Sequence, residues 1–348
     1  MDLATFWFIL IGVLWTGYLV LEGFDFGVGM LMPIVGKTSS GRRLLLNTIG
    51  PVWDGNEVWL ITAGGAMFAA FPEWYATLFS GFYLPLLLIL VALIVRVVAI
   101  EYRSKINDER WRSRWDLAIT ISSWVPSILW GVAFANIVRG VPIDASGTYT
   151  GGFFTLLNPF ALLGGAATLV IFLSHGAMFL SLKTGGGVRE RAERFARRCS
   201  LAAIVVGGAW ALWLQLAYSR NTWTWAAVGL AAAGLVGAAV LSARSRMGWA
   251  FTCNAVAIVG VVAAIFGSLF PNVMPSTTDA AYSLVVHGSS GLVAASSHTT
   301  LVVMTWVAAF FTPVVLAYQA WTYWVFRRRL TEEQLPEHNE LTFTTPAS

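Results

Sequence analysis

Trp53-Asp54-Gly55-Asn56-Glu57-Val58-Trp59, followed by the apolar run 60–70, is the stretch that decides the fold. It sets two carboxylates at the start of a segment apolar enough to lie in a membrane. An ionised acid at mid-bilayer costs about 2.5–3.5 kcal/mol on insertion scales. Glu22 and Asp25 repeat the pattern in the preceding apolar segment. Such acids need an internal partner, a water-filled path or a proton.

The rest of the composition agrees. Of 348 residues, 57% are hydrophobic and 11% charged, and the mean hydropathy is +0.69. Soluble domains carry about 25% charged residues, so the chain reads as an all-α integral membrane protein. The 17 Trp and 22 Phe suit aromatic belts at the two interfaces. A span needs about 20 mostly apolar residues. Nine are predicted, at 4–32, 52–70, 76–100, 116–138, 159–182, 199–218, 223–243, 249–270 and 298–326. The first lacks a basic leader and runs past signal length, so it is read as a retained span. The polar ends are short, and no soluble domain is expected on them.

Orientation follows from Lys and Arg. The loops after the first, third, fifth and seventh spans, and the tail after the ninth, hold nearly all of the 22. Arg139 and Arg220 lie on the other side, and Arg96 lies inside the third span. By the positive-inside rule the N-terminus is outside and the C-terminus cytoplasmic. The net charge of +4 therefore reflects topology and gives no reason to expect nucleic acid. Segments 140–158 and 271–297 are longer outer loops, rich in Gly, Ser, Thr and Pro. They read as plain connections or as covers over an outer site; no strand pattern stands out in them. The basic stretch 189–198 reads as a helix near lipid headgroups. Cys199 and Cys253 are isolated and read as small apolar packing residues, since no CxxC pair is present.

The intramembrane polar groups fall toward one side. Glu22 and Asp25 are three apart and share a helix face. Asp25 precedes Met32 by seven residues, about 10 Å along a helix. Asp54 follows Pro51 in the first helical turn, where free N–H groups favour an anion; that placement alone explains it as a helix-start acid. Glu57 lies a turn deeper and is harder to explain so. Arg96 reads either as a partner for the acids or as a side chain reaching for headgroups. His175 reads as a structural histidine or as a member of the same group. All six sit in the cytoplasmic half. A pairing network or a proton path would use the same residues.

Haem or copper sites need convergent histidines. This chain has only His175, His287, His298 and His338, with no HxxxH, CxxCH or zinc spacing. No haem is expected to be bound wholly by this chain.

Gly23-Phe24-Asp25-Phe26-Gly27, the 53–60 stretch and Thr62-Ala63-Gly64-Gly65-Ala66 resemble subunit II of the cytochrome bd quinol oxidases. Gly81-Phe82-Tyr83-Leu84-Pro85 and Ser174-His175-Gly176-Ala177 agree. The resemblance covers nearly the whole chain. It implies two four-helix bundles, 1–140 and 141–270, then an outer loop and a peripheral ninth helix over 271–330 and a cytoplasmic tail over 331–348. It implies a pseudosymmetric heterodimer with subunit I, which carries two b-type haems, haem d and the quinol-oxidising loop. The complex oxidises quinol and reduces dioxygen to water in the bacterial cytoplasmic membrane. Asp25 and Asp54 match acids on a cytoplasmic proton route, with Glu57 beside them and Glu22 and Arg96 in support. Trp59 matches a tryptophan near an apolar dioxygen route, although core packing explains it equally. The resemblance also leaves room for a bound quinone or lipid and a small accessory subunit. Two other functions fit the residues: a purely structural subunit whose acids only pair, and a proton-coupled secondary transporter with a midplane site.

Overall fold

A computed structural model describes residues 2–219, 221–288 and 290–334. Arg220, His338 and most of the expected tail lie outside the described residues. The protein is mostly helical. The helices are α1 (Leu3–Val35), α2 (Ser39–Ile49), α3 (Trp53–Ala70), α4 (Pro72–Gly81), α5 (Tyr83–Tyr102), α6 (Glu109–Arg139), α7 (Pro159–Lys183), α8 (Gly186–Trp213, continued by a π turn, Leu214–Tyr218), α9 (Thr224–Ala243), α10 (Met247–Leu269) and α11 (His298–Val325).

Side-chain caps start several of them. Asp2 accepts from the Thr5 N–H at 2.8 Å at the head of α1. Asp108 accepts from the N–H groups of Arg110 and Trp111 at the head of α6. Asn158 accepts from the Ala161 N–H ahead of α7, where Pro159 occupies the first turn.

Among the described residues, eight helices are long and apolar enough to cross a membrane: α1, α5, α6, α7, α8 with its π turn, α9, α10 and α11. The chain is a multi-pass membrane protein. α3 has 18 residues, but Asp54, Asn56 and Glu57 make it less apolar than these eight.

The expected third span, 76–100, is two helices that meet at Phe82. Pro85 has no N–H to give the Gly81 carbonyl, so the ladder breaks there. Further features escaped the apolar pattern. α2 is short and amphipathic, and α6 and α8 begin well before their apolar runs, so the basic 189–198 segment is itself part of α8. The segment 271–297, in which no strand pattern stood out, also contains a small sheet. β1 (Asn272–Met274) pairs antiparallel with β2 (Leu284–Val285), which pairs parallel with β3 (Leu292–Val293). Ser276 ties this sheet to the segment 140–158, its hydroxyl donating to the Ile143 carbonyl at 3.0 Å.

α1 is the central helix, packed on α3, α6, α7 and α10. Its contact with α7 is backbone-close: a Cβ on Gly27 would lie 2.3 Å from the Phe172 carbonyl oxygen, and one on Gly176 would lie 2.5 Å from Gly27. Small residues let helices in lipid approach this closely. At the periphery, only Leu301 of α11 is buried, while Trp306 and Phe310 are 75% and 70% exposed. Such apolar surface suits lipid or a membrane partner.

Candidate functional site

Four elements bring polar side chains together inside this apolar frame. α1 supplies Glu22 and Asp25, both fully buried on one face. α3 supplies Asn56 and Glu57, α5 supplies Arg96, and α11 supplies Gln319 and Tyr323.

Arg96 is the hub of charge. Its guanidinium donates to Glu22 and, at 3.0 Å, to Glu57 Oε1, and it lies 4.7 Å from the centroid of the Phe26 ring. A buried charge is tolerated only when paired and hydrogen-bonded. Here one guanidinium serves two carboxylates. A third, Asp25, is bound instead by a neutral amide: Asn56 Nδ2 donates to Asp25 Oδ2 at 2.6 Å. Asn56 Oδ1 in turn accepts from the Tyr323 hydroxyl at 2.8 Å and from Gln319 Nε2 at 3.3 Å. Among the described residues, Glu22 Oε2, Asp25 Oδ1 and Arg96 Nη2 have no protein partner. The cluster thus holds more carboxylate than cation and leaves oxygens free to hold or exchange protons.

The profile of the family described as Cytochrome bd terminal oxidase subunit II matches residues 3–326. The chain belongs to that family. It is therefore a subunit of a bd-type terminal oxidase, an oxidoreductase complex. It is 38% identical to the cytochrome bd-I ubiquinol oxidase subunit 2 of Escherichia coli (strain K12), over 94% of this chain and 95% of that one. It is also 38% identical to the cytochrome bd ubiquinol oxidase subunit 2 of Bacillus subtilis (strain 168), over 96% and 98%. In fold it resembles a chain of the bd oxidase from Geobacillus thermodenitrificans, with a TM-score of 0.75 at 16% identity, covering 93% of this chain and 99% of that one.

Within this bd-family subunit, the six polar residues grouped from the sequence do not form one cluster. Glu22, Asp25, Glu57 and Arg96 meet. Asp54 is exposed in the first turn of α3 and takes no part in these bonds. His175 turns elsewhere: its ring stacks on Phe251 at 4.2 Å, and Nε2 lies 3.1 Å from the Val20 carbonyl. That is the structural role the sequence left open for it. Trp59 is half-buried, donates through Nε1 to Gln319 Oε1 at 2.9 Å, and lies against Gly17 of α1. It also lines an apolar groove of about 410 Å³ between α1, α3 and α11. Asn56, Gln319 and Tyr323 carried no assigned role in the sequence. The available signal was an amide between two acids and two polar residues four apart, hence on one face, in an otherwise apolar helix.

A second polar group lies on α6. Asp116 binds both Arg42, at 2.7 Å, and Arg103, and so ties α2 to α5 and α6.

Among the described residues, no three His, Cys, Asp or Glu side chains converge as metal ligands. The buried His175 is already stacked and bonded through Nε2.

Proposed function

We propose that this chain pairs with a haem-bearing subunit I in a heterodimer of the bacterial cytoplasmic membrane that oxidises quinol and reduces dioxygen to water. Its own task is to deliver cytoplasmic protons and to stabilise the partner. The two b-type haems and haem d belong to subunit I and supply the electron transfer and dioxygen chemistry. The relatives named as ubiquinol oxidase subunits support this assignment.

In this reading α3 is a ninth span, the N-terminus is outside, and α1 to α6 and α7 to α10 form two bundles, 1–140 and 141–270. α11 is the peripheral helix after the 271–297 loop, and 331–348 is a cytoplasmic tail.

The observation that carries the proton role is the buried cluster itself. Three carboxylates lie beside a single guanidinium that pairs with only two of them, inside a membrane protein, an arrangement expensive to keep for packing alone. Asp54, exposed at the cytoplasmic end of α3, takes up a proton first. Glu57 is next along the same helix and is 15% exposed. Asp25 receives the proton at Oδ1, the oxygen that no protein donor occupies, and passes it toward subunit I. Glu22 and Arg96 fix the charge of the cluster. Trp59 and its apolar groove offer dioxygen, a quinone or a lipid chain a path beside it.

A purely structural role for the acids is the second reading, favoured by the direct pairing of Arg96 with Glu22 and Glu57. The assignment to the complex is tested by a reduced-minus-oxidised spectrum of the assembly that co-purifies with this chain, beside that of the chain alone. Haem b and haem d bands in the assembly only are expected. A haem-free assembly contradicts the proposal.

A further inference from the structure

Asn56 carries no charge and enters no proton step, yet it joins more of the site than any acid does. It is fully buried. Its amide donates to Asp25 Oδ2 at 2.6 Å, and its carbonyl oxygen accepts from Tyr323 and Gln319 at 2.8 and 3.3 Å. Gln319 is itself held, its Oε1 accepting from Trp59 Nε1 at 2.9 Å. Two donors on Oδ1 fix which way the amide points, since the flipped rotamer would set oxygen against the Asp25 carboxylate and NH2 against two donors. The bonds run unbroken from α11 through α3 to α1.

This link is not a by-product of packing. α11 fully buries only Leu301, near its start, and most of its other residues are exposed. At Gln319 and Tyr323 it gives a donor each to one side chain, that of Asn56. That side chain occupies one oxygen of Asp25 and leaves the other without a protein partner.

We propose that Asn56, held from α11 by Tyr323 and Gln319, is the positioning residue of Asp25 and fixes which of its oxygens is open to a proton. The inference rests on the proton-route reading and deepens it. It gives the peripheral helix a function, namely to hold the amide that aims the acid. The charged and titratable groups facing Asp25 are Glu22 on its own helix, Glu57 on α3, Arg96 on α5 and Tyr323 on α11. His175, on α7, turns to Val20 and Phe251 instead.

The test uses the whole complex with subunit I, and compares Asn56→Asp, Tyr323→Phe and Asp25→Asn. Asn56→Asp keeps the volume and the acceptor for α11 but replaces the donor to Asp25 with an acid. Tyr323→Phe removes one hydroxyl and leaves the packing. Turnover is measured from mildly acidic to mildly alkaline pH, with haem content on the same samples. Turnover is expected to fall about 10-fold in Asn56→Asp, as for a misplaced reacting group. A fall of about 3-fold is expected in Tyr323→Phe, the scale of one hydrogen bond. Haem content stays unchanged in both. In both, the loss steepens as pH rises, because a poorly aimed acid makes proton supply limiting.

If Asn56→Asp fails to assemble, Tyr323→Phe alone decides. A variant that assembles with an unaltered pH profile, or that loses turnover only in proportion to haem, overturns the inference. If Asp25→Asn is slow while both other variants run normally, positioning fails and the proton route stands. If Asp25→Asn itself runs normally, the proton route fails and the inference with it.

Discussion

Arg96 shows how a single cation organises the site at the scale of residues. It is 1% exposed and answers Glu22 and Glu57 together. Removing one partner of a buried pair leaves an uncompensated charge, at about 3–5 kcal/mol. Arg96→Leu is therefore expected to lower the yield of assembled complex sharply, as seen in the amount recovered from detergent extracts; a normal yield would mean that the acids are already neutral. Asp2 gives a milder, pH-dependent effect outside the membrane. The Thr5 N–H it accepts holds its carboxyl below the ordinary value of 3.8. A depressed carboxyl stabilises the fold above that value, and the contribution is lost as pH falls through the lower, folded-state value. Asp2→Ala is expected to lower thermal stability slightly at neutral pH, on the scale of a helix cap, about 1 kcal/mol, with the difference vanishing in strong acid. The acids and Arg96 were legible in the sequence because charge inside an apolar run is conspicuous. Asn56, Gln319 and Tyr323 were not, because neutral polar residues cost little in a helix, and only tertiary contact gives them a common target.

Among the elements, α1 and α7 meet where Gly27 and Gly176 leave no room for a side chain. Gly176→Val would force the two backbones apart, an overpacking of about 1–3 kcal/mol or more. Reduced melting temperature of the purified complex is expected, with the site chemistry intact in whatever assembles. α3 allows a direct topological check. If it crosses the membrane, Glu73, exposed just beyond its end, faces outward. Glu73→Cys should then react with a membrane-impermeant thiol reagent added to intact cells. Protection there, with labelling only after lysis, would place α3 on the cytoplasmic side. Most spans were legible because their apolar runs exceed bilayer length. The break at Phe82 was not, since the run 76–100 stays apolar across it and the cause is one missing N–H at Pro85. α2 was too short and polar to register as a span, and strands of two or three residues are too short to show alternation.

At the scale of the whole molecule, an apolar shell encloses the Arg96 cluster, most of whose polar side chains come from α1 and α3. The peripheral helix α11 closes that cluster from one side through Gln319 and Tyr323, while α3 presents Asp54 at the surface. Proton delivery to a partner subunit explains both features together. The most direct measurement is oxygen consumption per haem d in the purified complex carrying Asp25→Asn. Turnover is expected to drop about 100-fold, the low end of the scale of a lost proton-transfer group, with the haem spectrum unchanged. Normal turnover per haem d, or activity lost only in step with haem, would contradict a proton-delivering role for this chain.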